Sequence, residues 1–126
     1  MAKFIARFPT PLGGSTAKLI TIDGANATAN NDVFPGSGSV YQIEIDASLN
    51  SGEDVFLRLY DDATPTVGTT DAEVVVPGRA GEKTWYGFPR GIPFGTAISV
   101  SVTKTAGGTA GLDAPSGTVN VQLHIA

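Results

Sequence analysis

Val55-Phe56-Leu57-Arg58-Leu59-Tyr60 is the stretch whose reading decides the fold. Val55, Leu57 and Leu59 share one face at the two-residue period of a β-strand, yet Phe56 and Tyr60 on the opposite face are apolar too. A strand that is greasy on both sides is central in its sheet, or its outer face meets something. The chain then turns through Asp61-Asp62-Ala63-Thr64-Pro65-Thr66-Val67-Gly68-Thr69. It runs on through Trp85-Tyr86-Gly87-Phe88-Pro89-Arg90 and Gly91-Ile92-Pro93-Phe94-Gly95 to Ile98-Ser99-Val100-Ser101-Val102-Thr103. The single Trp of the chain lies here, so any aromatic surface chemistry centres on this region.

The rest of the chain agrees with a β reading. Sixteen Gly and eight Pro among 126 residues disfavour helix interiors, and no helical periodicity appears. Val40 to Asp46 alternates, with Tyr41, Ile43 and Ile45 expected inward and Gln42, Glu44 and Asp46 toward water. Thr118 to Ile125 places Val119, Val121, Leu123 and Ile125 inward against Asn120, Gln122 and His124. Ile98, Val100 and Val102 alternate with Ser99, Ser101 and Thr103. Ala17 to Ile22, Ala72 to Val76 (ended by Pro77-Gly78) and Glu82 to Phe88 read as further strands. Lys3 to Phe8 reads as a first strand, closed by Pro9, Pro11 and Gly13-Gly14.

Ala25 to Ser39 reads as a long polar loop with Val33 and Phe34 available to pin it to the core. Gly91 to Gly95 reads as a tight bulged connection, and Thr105 to Gly117 as a second flexible loop. The expectation is one all-β domain, an antiparallel β-sandwich or jelly roll of about eight strands. Residues 1–14 form an N-terminal strand and Pro/Gly-rich arm, and 15–126 the sandwich. A core of this size needs no staple, and the chain has no cysteine to supply one.

Composition excludes several functions. The net charge of −4 comes from scattered groups, so no basic stripe exists for nucleic acid, and a membrane surface is as poorly served. Around Lys3 and Arg7, prolines replace the apolar run of a signal peptide, which leads us to expect synthesis and folding in the cytosol. Asp61-Asp62 could offer oxygens to a hard cation, but adjacent acids on a strand point apart and more often start a turn. His124 is the sole histidine and falls on a polar face with no nucleophile elbow to serve. Gly13 to Lys18 lacks phosphate-loop spacing, and Gly36-Ser37-Gly38 reads only as loop. No metal, cofactor or enzymatic reaction is expected. Trp85, Tyr86 and Phe88 with Arg90 could form a stacking platform or protein anchor; against that, alternate members of the strand would fill the core.

Leu57 to Thr69 resembles a pattern in small virion proteins of tailed bacteriophages, in which an aliphatic strand ends in a basic residue and Tyr before an Ala…Pro-Thr-Val-Gly-Thr turn. The similarity continues through Val74-Val75-Val76-Pro77-Gly78 and Gly81, resumes at Gly91 to Ile98, and includes the Gly/Ala/Thr-rich loop before the last strand. It covers roughly half the chain. Asp61-Asp62 departs from the pattern's usual polar-basic pair, and the first fifty residues carry no match. The resemblance implies a β-sandwich that decorates and cements the outside of a phage head, often as a homotrimer, with the major capsid protein as partner and the virion surface as its location. Partner contacts are then expected at Phe4, Arg7 and Phe8 in the arm and at Trp85, Tyr86 and Arg90 in the aromatic strand. The alternative is a carbohydrate- or receptor-binding sandwich on a phage tail or fibre.

Overall fold

A computed structural model of the chain describes residues 18–34, 36–106 and 112–126. Its eight elements are all strands: β1 (Lys18–Ile22), β2 (Asn30–Phe34), β3 (Gly38–Leu49), β4 (Val55–Tyr60), β5 (Val74–Gly78), β6 (Lys83–Phe94), β7 (Ile98–Thr103) and β8 (Thr118–Ile125). One sheet, A, has the order β1-β8-β3-β6 and the other, B, β2-β7-β4-β5. Antiparallel pairs join β1 to β8, β2 to β7, β3 to β6 and β4 to β5. The first half of the chain is thus laid against the second as one long hairpin. Additional pairing of β3 with β8 and of β4 with β7 rolls that hairpin into two facing sheets. This winding is a jelly roll.

Period-two patterning accounts for the core. Val55, Leu57 and Leu59 of β4, Ile98, Val100 and Val102 of β7, Ile43 and Ile45 of β3, and the four apolar residues of β8 are all fully buried between the sheets. β4 is internal to sheet B, as its two greasy faces require.

Four readings of the sequence change. The segment from Ala25 to Ser39 is not one loop: it carries β2 and the start of β3. β2 escapes the alternation rule because its ladder with β7 shifts register between Asn30 and Phe34, with Asp32 at φ 47°. Ser99 Oγ accepts the Asp32 N–H at 2.9 Å, and Val33 and Phe34 do pack against the core. Secondly, Tyr41 does not face inward. Val40 pairs with Ile92 but Gln42 pairs with Gly87, so Tyr41 alone opposes Phe88 to Gly91 and the bulge inverts the parity. Val40 takes the buried place.

Thirdly, Gly91 to Phe94 is not a connection but the second half of β6, beyond that bulge. Gly91, at φ 73°, lets the Tyr41 ring close on the backbone; a Cβ there would come within 2.9 Å of it. Fourthly, β5 includes Pro77 and Gly78 rather than stopping before them, which an edge strand permits. The expected strand from Lys3 to Phe8 lies outside the described residues.

Candidate functional site

The outer faces of the two sheets are the surfaces left for function, and they are built differently. On sheet A, ladder register sets the outward side chains in rows. Leu19, His124, Gln42 and Gly87 share one row, and Thr21, Gln122, Glu44 and Trp85 the next. Asn120, Asp46 and Lys83 make a third. Trp85 ends the middle row on the edge strand and is 57% exposed. Beside it a shallow polar groove of about 130 Å³ runs over Thr21, Glu44, Lys83 and Gln122.

Part of this polar lattice is already committed. Asn120 Oδ1 accepts the Gly24 N–H at 2.9 Å, and Asp46 Oδ1 accepts the Ser48 hydroxyl at 2.6 Å and its N–H at 3.0 Å. The Ser48 hydroxyl and then its N–H hold the Asp46 carboxyl below its ordinary pKa, with help from Lys83, against a smaller opposing effect of burial. Partial burial lowers the pKa of His124, while the nearby Glu44 charge pulls it back up. Gln42, Gln122 and the Trp85 indole N–H have no hydrogen-bond partner among the described residues.

Sheet B closes its outer face over its two central strands, β4 and β7. Tyr60, Ser99, Ser101 and Thr103 are buried there, and Arg58 is 7% exposed. The Arg58 guanidinium donates to Thr103 Oγ1 at 3.2 Å and to the carbonyls of Thr105 and Ala106 at 3.1 and 2.8 Å. The Tyr60 hydroxyl and Ser101 Oγ share a hydrogen bond of 3.0 Å, and the Ser99 hydroxyl donates to the Asp62 carbonyl. A depression of about 370 Å³ remains between Arg58, Tyr60, Thr69, Ala72 and Leu112. Its guanidinium is occupied by the protein's own carbonyls.

Asp61 and Asp62 behave as turn residues. The Asp61 carboxylate accepts backbone N–H groups of Gly95, Thr96 and Ala97 at 3.0, 2.7 and 3.2 Å, tying the end of β4 to the turn before β7. Those bonds, Thr96 foremost, lower its pKa against a smaller effect of burial. Asp62 Oδ1 accepts the Thr64 N–H at 2.8 Å. Among the described residues no group of three His, Cys, Asp or Glu side chains could hold a metal ion.

The expected aromatic cluster divides. Trp85 pairs with Glu44 and points outward, whereas Tyr86 pairs with Ile43 and packs against the core with Phe88. The Tyr86 hydroxyl donates to the Pro77 carbonyl, bridging the two sheets, and burial raises its pKa. Arg90 is exposed within the β6 bulge. Phe4, Arg7 and Phe8 lie outside the described residues. Two features escape a reading of strands one at a time. The row shared by Gln122, Glu44 and Trp85 exists only through register, and the burial of Arg58 depends on a loop forty-odd residues away, although a basic residue inside a buried strand was its visible signal. No protein-family model matches the chain, and no curated protein matches it significantly.

Proposed function

We propose that this chain is a structural protein of a tailed-phage virion, a decoration or cement protein that binds the outer surface of the head and stabilises it. The observation that carries the reading is the way the resembling segments meet. Leu57 to Tyr60 lies in β4 and Gly91 to Ile98 spans the end of β6 and the start of β7, far apart in sequence. Asp61 joins them through three backbone N–H groups, and β4 pairs directly with β7 and β5. The segments that carry the resemblance are thus neighbours in one sheet through the pairing of β4 with β5 and β7, while the Asp61 contacts, at a position that departs from the pattern, are this chain's own.

The body suits such a role. It is a sandwich in which the two central strands of the second sheet, β4 and β7, are largely buried on both faces, and cement needs a rigid partner surface rather than a reacting group. Binding only to the assembled shell would stabilise that shell by mass action. An interface of standard size, ~800 Å² per partner, fits a body of this size. The jelly roll supports viral capsid and lectin domains alike, so the fold by itself favours neither reading.

The test is the copy number of the protein in purified particles, relative to the major capsid protein, followed by rebinding to depleted heads. Copies in the hundreds with saturable rebinding are expected. A few dozen copies or fewer would move the protein to tail or fibre, and absence from particles would overturn the proposal.

A further inference from the structure

From the outer face of sheet A we infer that the chain carries a carbohydrate-binding surface, with Trp85 as its stacking platform and Gln122, Glu44 and Gln42 as the groups that engage hydroxyls. The inference does not depend on the virion reading. Indole rings offer a flat apolar face that matches the C–H face of a pyranose, and a half-wet position keeps both ring and N–H available. Trp85 is more than half exposed, and its outward neighbour on β6 is Gly87, at which even an added Cβ would meet nothing within 4 Å. One flank of the indole is therefore open.

The polar side of a sugar needs donors and acceptors that the protein has not already used. Gln122 and Gln42 supply both kinds and have no partner among the described residues, while Glu44 between them accepts. Asp46 and Asn120, each bonded within the protein, are left out of the set. Thr21, Gln122, Glu44 and Trp85 stand in one cross-strand row, which at ~4.8 Å per strand spans roughly 14 Å. A row of this length accommodates a short oligosaccharide lying across the strands, over the groove. Asp23, Glu44 and Asp46 outnumber Lys83 along that groove, so the ligand is a neutral glycan rather than a uronate, sialoside or phosphorylated sugar.

The chain has one tryptophan, so its emission reports this face alone. The full chain is titrated with neutral gluco-, xylo-, manno- and chito-oligosaccharides, with oligogalacturonate as the anionic comparison, and affinities are checked by calorimetry. A saturable blue shift with a neutral member is expected. Trp85→Ala and Gln122→Ala should each weaken that binding at least tenfold, Trp85→Phe should restore part of it, and Val75→Ala on the other sheet should leave it unchanged. Circular dichroism confirms that each variant is folded. No shift with any oligosaccharide at millimolar concentration, affinity unchanged by Trp85→Ala, or equal binding of oligogalacturonate would overturn the inference. A blue shift produced by raising protein concentration without sugar would overturn it too, by showing the face to be a contact between copies.

Discussion

Sheets A and B present the same alternation toward the core and opposite treatments of their outer faces. In sheet A the outward residues of β3 and β8 are Gln42, Glu44, Asp46, Asn120, Gln122 and His124, all only partly buried, with Trp85 exposed at the edge. In sheet B the outward residues of β4 and β7 include Arg58, Tyr60, Ser99, Ser101 and Thr103, all five buried, with Phe56 partly buried at the start of β4. A polar side chain costs little on the first face and must be satisfied on the second. Sheet B meets that demand with a closed hydrogen-bond network, and its outer face thereby adds to stability rather than to recognition. Sheet A keeps its hydrogen-bonding capacity for something else.

The largest test of this contrast is Arg58. Removing the guanidinium takes its donor from the Ala106 carbonyl and one bond each from Thr103 Oγ1 and the Thr105 carbonyl, which stay bonded to each other at 2.8 Å, and uncovers the face they close. Arg58→Ala is expected to cost about 3 kcal/mol, from the loss of charge-assisted bonds to partly buried acceptors, or roughly 12 °C in Tm. Thermal and denaturant melts check it. A loss below about 1 kcal/mol would mean that the covering loop holds itself in place.

Asp61 is the next, because it anchors the start of the same cover. Asp61→Ala should cost about 1–2 kcal/mol, the range for a side chain that caps orphan backbone N–H groups. The pH dependence carries the sign. The folded carboxyl titrates below its ordinary 3.8, so its contribution is complete above that value and is lost as pH falls through the lower folded pKa. The gap in stability between wild type and variant should be constant from pH 7 to about 5 and close below 3.8. The lowered carboxyls of Asp46 and Glu53 occur in both proteins and cancel from the difference.

Tyr60→Phe is a smaller change in the same network. It deletes one hydroxyl from the buried pair with Ser101, and about 1 kcal/mol is expected from denaturant midpoints. Tyr60→Phe combined with Ser101→Ala should cost less than the sum of the two single changes, since removing both partners leaves no orphan group.

How much of this was legible in the sequence follows from which interactions are local. Alternation in β4, β7 and β8 gave the core, because a two-residue period is a property of each strand alone. Alternation alone turns Tyr41 inward, and it faces out because a bulge is a mismatch between two strands, invisible in either. β2 is not legible for a related reason: Asn30 to Phe34 has little β character and is a strand only because β7 offers it an edge. Asp61 as a turn residue was legible from its type, but not its partners 34 to 36 positions away. Trp85 and Tyr86 had to face opposite sides; which one faced out required the register with Glu44 and Ile43.

The smallest expected stability effect is the one that separates the faces most sharply. Trp85 is the largest aromatic side chain of the chain, and in a core position its truncation would cost about 3–5 kcal/mol. On the outer face of sheet A it is more than half exposed, it is not among the residues packed against the core, and its indole N–H bonds to no described residue. Trp85→Ala and Gln122→Ala should therefore each shift stability by less than about 0.5 kcal/mol, as surface changes do. Denaturant midpoints, followed by far-ultraviolet circular dichroism because the fluorescent reporter is lost, would check this. A cost of 2 kcal/mol for Trp85→Ala would make the indole part of the sandwich's own packing and erase the difference between the faces. Stability unchanged while ligand binding falls would place the whole effect of the residue outside the fold, which is where a recognition surface has to be.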